Sequence, residues 1–432
     1  MLETIWEWKI PNSPGQANRP ADVGDKASGP LRGEADSAYA WIRLSAALLL
    51  STLGGVGMWS IIVALPAVQA EFGVARADAS LPYTTTMIGF GLGGILTGRL
   101  CDRFGVIAAV AVGTIALTLG FVAAASAANL WQLAVAQGLL IGVGSSATFG
   151  PLIADTSMWF TRRRGAAVGI IASGNYLAGA LWPSVVQHFI ATVGWRHTYL
   201  GIGLFCVVSM APLALVLRKP SPTGRTTDGV RATSLRPNDL GLSPSALQAL
   251  LALAAIACCV AMAMPQVHIV AYCADLGYGP ARGAQMLSLM LAFGIVSRLG
   301  FGLISDRIGG LRTLLLGSGL QFVALALFLP FDGLIPLYVI TALFGLFQGG
   351  IVPSYAIIVR EYFAPKEAGV RVAMVLTASV FGMALGGWMS GAIFDWTGSY
   401  HAAFINGMAW NLMNVAIAVR LLRGPRRAPA HA

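Results

Sequence analysis

Charge is scarce in this sequence: Asp, Glu, Lys and Arg make up 11% of its 432 residues, against 56% hydrophobic residues. A soluble domain carries roughly 25% charge, so the shortfall excludes a water-exposed globule and points to lipid as the solvent. Metal-ligand spacing is missing as well. Cys101, Cys206, Cys258, Cys259 and Cys273 form no paired C-x-x-C arrangement and mostly fall within apolar runs. They are read as small packing residues, with no metal or other cofactor. The runs contain no paired acids and no nucleophile beside a base, which removes the chemistry of a membrane enzyme. The net charge of +10 is scattered between the runs instead of gathered in one patch, which excludes nucleic acid as a partner. Both tails are too short for the signalling domain of a receptor.

What the sequence does have is apolar runs of spanning length. A helix needs about 20 apolar residues to cross the hydrocarbon, where every backbone amide must be satisfied internally. Six such runs lie at 42–68, 80–99, 106–126, 130–154, 165–189 and 198–217, and six more at 246–272, 283–304, 312–330, 334–357, 370–393 and 402–421. The expected architecture is therefore an all-α membrane protein of twelve transmembrane helices in two six-helix bundles, residues 41–217 and 246–422. Residues 218–245, with Arg218, Lys219, Pro220, Pro222, Arg225, Arg231 and Arg236, read as a polar cytoplasmic linker. Residues 1–40, with Pro11, Pro14, Pro20, Pro30 and mixed charge, read as a disordered cytoplasmic tail without a signal sequence. Residues 423–432 form a second short tail.

Basic residues set the orientation, because cytoplasmic loops retain Lys and Arg. With both termini inside, 24 of the 28 basic residues fall on the cytoplasmic side and three, Arg76, Arg196 and Arg282, fall outside. The remaining one, Arg298, lies within a span. The expected location is a bacterial inner (plasma) membrane, with the chain monomeric in the bilayer.

The two halves repeat each other. Gly98-Arg99-Leu100-Cys101-Asp102-Arg103-Phe104-Gly105 recurs as Gly302-Leu303-Ile304-Ser305-Asp306-Arg307-Ile308-Gly309, a shift of 204 positions. Pro151 matches Pro353 at 202, Trp159-Phe160 matches Tyr362-Phe363 at 203, and Gly194 with His197 matches Gly398 with His401 at 204. Duplicated halves of this kind enclose a site near the midplane.

The G-x-x-x-D-R-x-G segments, expected in short cytoplasmic loops after helices 2 and 8, resemble the signature loop of the major facilitator superfamily. Through the duplication the resemblance covers the whole chain. It implies the major facilitator fold and alternating access, with Gly98, Asp102, Arg103, Gly105, Gly302, Asp306, Arg307 and Gly309 as gating residues. It further implies that each Asp meets a helix N-terminus of the opposite half, that Arg103 pairs with Asp155 and that Arg307 pairs with Glu361. Such contacts would latch the inner gate in the outward-facing state. Both copies mostly lack the basic pair usual at the motif's end.

Small residues recur at helical spacing in helix 5 (Gly165, Gly169, Ser173) and helix 11 (Ala378, Gly382, Gly386, Ser390), and both stripes are expected to mark close helix contacts. Arg298 carries the most information. A charge at mid-membrane costs about 2.5–3.5 kcal/mol even on an insertion scale, and Gly294 and Gly302, four residues to either side, put it on a face suited to packing or a cavity. Its guanidinium can grip a carboxylate through two parallel hydrogen bonds, or hold helices together by a fixed contact. The segments Val267-His268-Ile269-Val270-Ala271-Tyr272-Cys273-Ala274-Asp275, Ser297-Arg298-Leu299-Gly300-Phe301-Gly302 and Met158-Trp159-Phe160-Thr161-Arg162-Arg163-Arg164-Gly165 resemble bacterial members of the monocarboxylate-transporter branch. In that branch the helix 8 arginine binds the substrate carboxylate, and Arg298 falls on it. The acid that animal members carry one turn earlier is Gly294 here, and helix 1 around Trp59 lacks their lysine.

His268 is a candidate second contact or a site for a coupling proton, and equally a packing residue. Tyr83, Asn175, Tyr176, Gln348 and Tyr355 are candidate cavity-lining groups, or else helix-to-helix hydrogen bonds. The expected activity is secondary active transport of a small organic anion, a monocarboxylate. The alternative is efflux of amphipathic drug-like compounds, in which Arg298 would be structural.

Overall fold

The structure, a computed structural model, describes residues 35–219 and 242–423. Nearly all of the expected N-terminal tail and linker, and all but the first residue of the C-terminal tail, lie outside the described residues. Twelve helices run through the described parts: α1 Ala38–Phe72, α2 Arg76–Phe104, α3 Val106–Ala125, α4 Leu130–Trp159, α5 Arg164–Val193 and α6 Trp195–Val216, then α7 Pro244–Asp275, α8 Pro280–Ile308, α9 Gly310–Leu327, α10 Leu334–Tyr362, α11 Pro365–Thr397 and α12 Tyr400–Arg423. Eleven are long and apolar enough to cross a membrane by themselves. The exception is α2, whose glycines and Thr84-Thr85-Thr86 lower its hydropathy. It packs on α4 and α11, so protein replaces lipid on much of its surface.

The helices are longer than the apolar runs because their polar ends extend past the hydrocarbon. Both copies of the repeated motif are consequently helical through Phe104 and Ile308, and not loops. The turns are made by Gly105 (φ 86°) and Gly309 (φ 81°), in a backbone region that favours glycine. The chain is also ordered earlier than expected. Ser37 caps α1, and the Asp36 carboxylate accepts hydrogen bonds from the Thr161 hydroxyl and from the Thr161 and Arg162 amides.

Several spans are broken at mid-length. Helix α1 breaks at Gly55, α4 at Thr148–Phe149, α5 at Ser173 and α10 at Gly349–Gly350. Pro151 and Pro353, paired by the sequence repeat, each follow such a break. The halves repeat in packing too: a Cβ on Gly142 would meet the Thr86 carbonyl oxygen at 2.5 Å, and one on Gly345 would meet the Met290 carbonyl oxygen at 1.9 Å. Helices α4 and α10 thus approach α2 and α8 at backbone distance. Four of the five cysteines are buried and all are free, as expected of packing residues.

The halves meet along three seams, α1 with α7, α2 with α11 and α5 with α8. Along the α2–α11 seam, Gly391 lies against Ala77, Gly387 against the Tyr83 ring, the Thr84 hydroxyl reaches the Ala384 carbonyl at 3.2 Å, and Gly91 touches Val380. One and two turns further, on the same face, Gly94 and Gly98 meet nothing within 4 Å. Along the α5–α8 seam Gly294 lies against the Tyr176 ring, but Gly165, Gly169 and Gly302 meet nothing. Both seams therefore close at one end of the molecule and part at the end that carries the repeated motif. These are called the far end and the motif end below.

Candidate functional site

The level at which the α5–α8 seam parts is the level of Arg298. Its Nη1 donates to the Ala172 carbonyl of the opposite half at 2.9 Å, and its guanidinium carbon lies 4.1 Å from the centroid of the Tyr176 ring. The carbonyl is available because α5 breaks at the next residue, Ser173. The ring fits because position 294 has no side chain: a Cβ there would stand 2.3 Å from Tyr176 Cε1. Arg298 Nε is buried without a hydrogen-bond partner, and so is Asn175 Oδ1. The Asn175 carbonyl accepts from Trp59 Nε1 at 3.2 Å, which ties α5 to α1 beside its break. Toward the far end, Gly179 presses on Leu291 and Trp59 and seals the seam. Among the described residues Arg298 makes no ion pair. Every acid of the described helices lies within about two turns of a helix end, so no carboxylate neutralises it at mid-length.

The far end is held by residues that the sequence reading did not single out. Arg76, 7% exposed, belongs to α2, yet its side chain lodges wholly in the other half. Its Nη1 donates to the Tyr400 hydroxyl at 2.5 Å, its Nη2 reaches Asp275 at 3.2 Å, and it covers the Phe394 ring at 4.8 Å. The Asp395 carboxylate, at the end of α11, accepts from the Arg76 and Ala77 amides at 2.8 and 2.7 Å and so caps the N-terminus of α2. A signal was present in the sequence: Arg76 is one of the three basic residues expected outside.

His268 belongs to this closure and not to the Arg298 site. It is fully buried, with Nε2 2.8 Å from the Gly387 carbonyl and Nδ1 3.5 Å from the Tyr400 hydroxyl. Tyr83 packs against that same Gly387. Tyr355 is fully buried inside the second half, donating to Asn414 Oδ1 at 2.9 Å, while Asn414 donates to Ser318 at 2.7 Å. In this arrangement packed partners meet the polar atoms or faces of all three. Gln348 accepts from Gln266 at 2.9 Å beside the break in α10. Of the named candidates, Asn175 and Tyr176 are the ones that stand with Arg298.

At the motif end two expected ion pairs are replaced. Asp155 takes both Nε and Nη2 of Arg43 at 2.8 Å, with Arg43 4.7 Å from the Trp159 centroid, all within the first half. Arg103 instead lies over Phe104 at 5.1 Å. Glu361 accepts the Gly310 amide at 3.0 Å, which caps α9, and it does not pair with Arg307. Asp102, Arg103, Asp306 and Arg307 are exposed, as the parting of the seams at this end requires. The small-residue stripes divide in the same way. Gly382 and Gly386 press on the Ile256 and Val260 carbonyls of α7, as expected, whereas Gly165 and Gly169 face open space.

Comparison with known proteins agrees with this architecture. Residues 47–342 match the Major Facilitator Superfamily. Monocarboxylate transporter 13 of Bos taurus is 29% identical over 330 residues, covering 74% of this chain and 75% of that protein, and its Rattus norvegicus counterpart is 28% identical over 395 residues, 89% and 90%. The MFS transporter asaE of Aspergillus flavus is 27% identical over 295 residues, 67% and 65%. The crystal structure of a bacterial homologue of the human lysosomal transporter Spinster, in an inward-facing and occupied conformation, superposes with a TM-score of 0.71 at 16% identity, over 91% of this chain and all of that one. Twelve helices in two repeated halves, duplicated G-x-x-x-D-R-x-G segments and a match over more than two thirds of the chain have one reading: this multi-pass membrane protein belongs to the Major Facilitator Superfamily.

Proposed function

We propose that the protein carries a small organic anion, a monocarboxylate, across the plasma (inner) membrane by alternating access, with Arg298 as the carboxylate anchor. The observation that carries this reading is an uncompensated guanidinium at the level where the two halves part. Its Nε is unpartnered, and no acid of the described helices lies at mid-length. A cation so placed is costly unless its site is built to receive a negative partner. The names of the mammalian relatives support the same cargo. The distribution of basic residues supports a cytoplasmic motif end with both termini inside. The arrangement described here is then the inward-open one, in which Arg103, Asp306 and Arg307 are exposed at the parted end. The folded segments on either side of the site, residues 41–217 and 246–422, act as the two rocking bodies.

Uptake of labelled acetate, lactate, pyruvate and benzoate into proteoliposomes tests the proposal. Arg298→Ala removes a bidentate charge-assisted contact of about 3 kcal/mol, so transport at low substrate falls roughly 100-fold, and Arg298→Lys restores part of it. Unchanged uptake in Arg298→Ala overturns the carboxylate reading and favours transport of amphipathic compounds, with Arg298 structural.

A further inference from the structure

We infer that Tyr176 is the positioning residue for Arg298, and that with the Ala172 carbonyl it aims the Nε–Nη2 edge of the guanidinium at the substrate carboxylate. The inference rests on the carboxylate reading above and adds how its anchor is held. A free guanidinium on α8 would sample many rotamers. Here one face is covered by the Tyr176 ring at 4.1 Å, and one Nη1 proton is taken by Ala172. The planar group is thereby fixed with its Nε edge unpartnered. Both restraints come from α5, across the seam. Position 294 lacks a Cβ where any side chain would strike the Tyr176 ring, and the break at Ser173 leaves the Ala172 carbonyl for Arg298.

The Nε and Nη2 protons of an arginine point to one side and Nη1 lies on the other, so Asp155 takes Nε and Nη2 of Arg43 together. An arriving carboxylate that engages the unpartnered Nε of Arg298 takes Nη2 with it and leaves Nη1 with Ala172. The ring stays as well, because a cation–π contact uses the face of the guanidinium and leaves its edge open. The guanidinium is therefore aimed before the cargo arrives, and binding does not bear the cost of ordering it.

Tyr176→Phe, Tyr176→Ala and Gly294→Ala separate these ideas, with pyruvate and benzoate as probes in proteoliposomes. Tyr176→Phe keeps the ring and leaves KM within twofold. Tyr176→Ala, and Gly294→Ala by expelling the ring, raise KM by about 3- to 30-fold with Vmax little changed, the range expected for a lost cation–π contact. A melting temperature lowered without a rise in KM assigns Tyr176 a purely structural role and overturns the inference. If Arg298→Ala abolishes uptake while the Tyr176 and Gly294 variants retain wild-type KM, the inference fails and the carboxylate reading stands. If Arg298→Ala leaves uptake unchanged, or neither acid is a substrate, both fail.

Discussion

Arg76→Ala tests the closure of the far end with unusual selectivity, because the hydrogen bond, ion pair and ring contacts of its side chain are with the opposite half. Removing it leaves the internal packing of each bundle intact and acts on the equilibrium between arrangements of the two. Three contacts are lost. The bond to the buried Tyr400 hydroxyl contributes about 1–1.5 kcal/mol. The pair with Asp275, whose side chain is 37% exposed, contributes about 0.5 kcal/mol after solvent screening. The cover over the Phe394 ring contributes about 0.5–1 kcal/mol. Together they amount to about 2–3 kcal/mol, a roughly 30- to 150-fold shift toward the far-end-open state. Spin labels at Val193→Cys and Ile335→Cys, exposed positions at the far ends of α5 and α10, read that shift in a background where Cys101 is replaced by Ser. A longer-distance population appears in Arg76→Ala and grows less in Arg76→Lys, which keeps the charge but not the fork. A distance distribution identical to that of the parent protein refutes the argument. A drop in melting temperature with no opening refutes it equally, since that would place Arg76 in the fold and not in the gate.

Two further predictions follow from packing and from charge. Gly345→Ala puts a methyl 1.9 Å from the Met290 carbonyl oxygen, forces α8 from α10 and lowers stability by about 3 kcal/mol or more, whereas Gly300→Ala, facing open space, leaves the thermal midpoint within about a degree or two. The Asp36 carboxylate is held below its ordinary value of 3.8 by the Thr161 hydroxyl and the Arg162 amide. Because its folded value is depressed, its contribution to order is fully present above pH 3.8 and is lost as pH falls through the depressed value. Exchange protection at the Thr161 and Arg162 amides, normalised to intrinsic rates, therefore persists at neutral pH and disappears only in strong acid. In Asp36→Ala it is absent at every pH.

Much of the fold was legible because the bilayer imposes a simple rule on the chain. Apolar runs of fixed length, the charge between them and one repeat offset were enough for twelve helices and two halves. The site was legible only in part. Arg298 declared itself by its cost, and Asn175 and Tyr176 by being polar groups within an apolar run. The sequence could not say whether a polar residue faces a chamber or a neighbouring helix, because both need the same residue types. Tyr355 and His268 illustrate this: each makes its hydrogen bonds inside packed protein, with Asn414 in one case and Gly387 in the other. The motif pairs Arg103–Asp155 and Arg307–Glu361 are expected of the outward-facing state, and in the present one Asp155 holds Arg43 and Glu361 holds the Gly310 amide. Arg43, counted only among the cytoplasmic basic residues, is buried on Asp155 at 3% side-chain exposure.

The repeat also locates where the two halves were made different, and the difference falls on the gate. Glu71, at the end of α1, is matched at the 204-residue offset by Asp275 at the end of α7, and Arg196 is matched by Tyr400. In the first half Glu71 is held by Arg196 at 2.7 Å, within its own bundle, and Arg196 also takes the Ala125 carbonyl at 2.6 Å. In the second half tyrosine replaces that arginine. The carbonyl equivalent to that of Ala125 belongs to Leu329, and it is held at 3.0 Å by His401, the neighbour of Tyr400. Asp275 is thereby left without an arginine of its own, and Arg76 arrives from the opposite half to supply one. An acid at the same place thus rigidifies one bundle and, by the loss of a single neighbour, becomes a clasp between two. A joint that must open in each transport cycle is better made from such a trans contact than from a cis one, because breaking it costs the alignment of the halves and leaves each half folded.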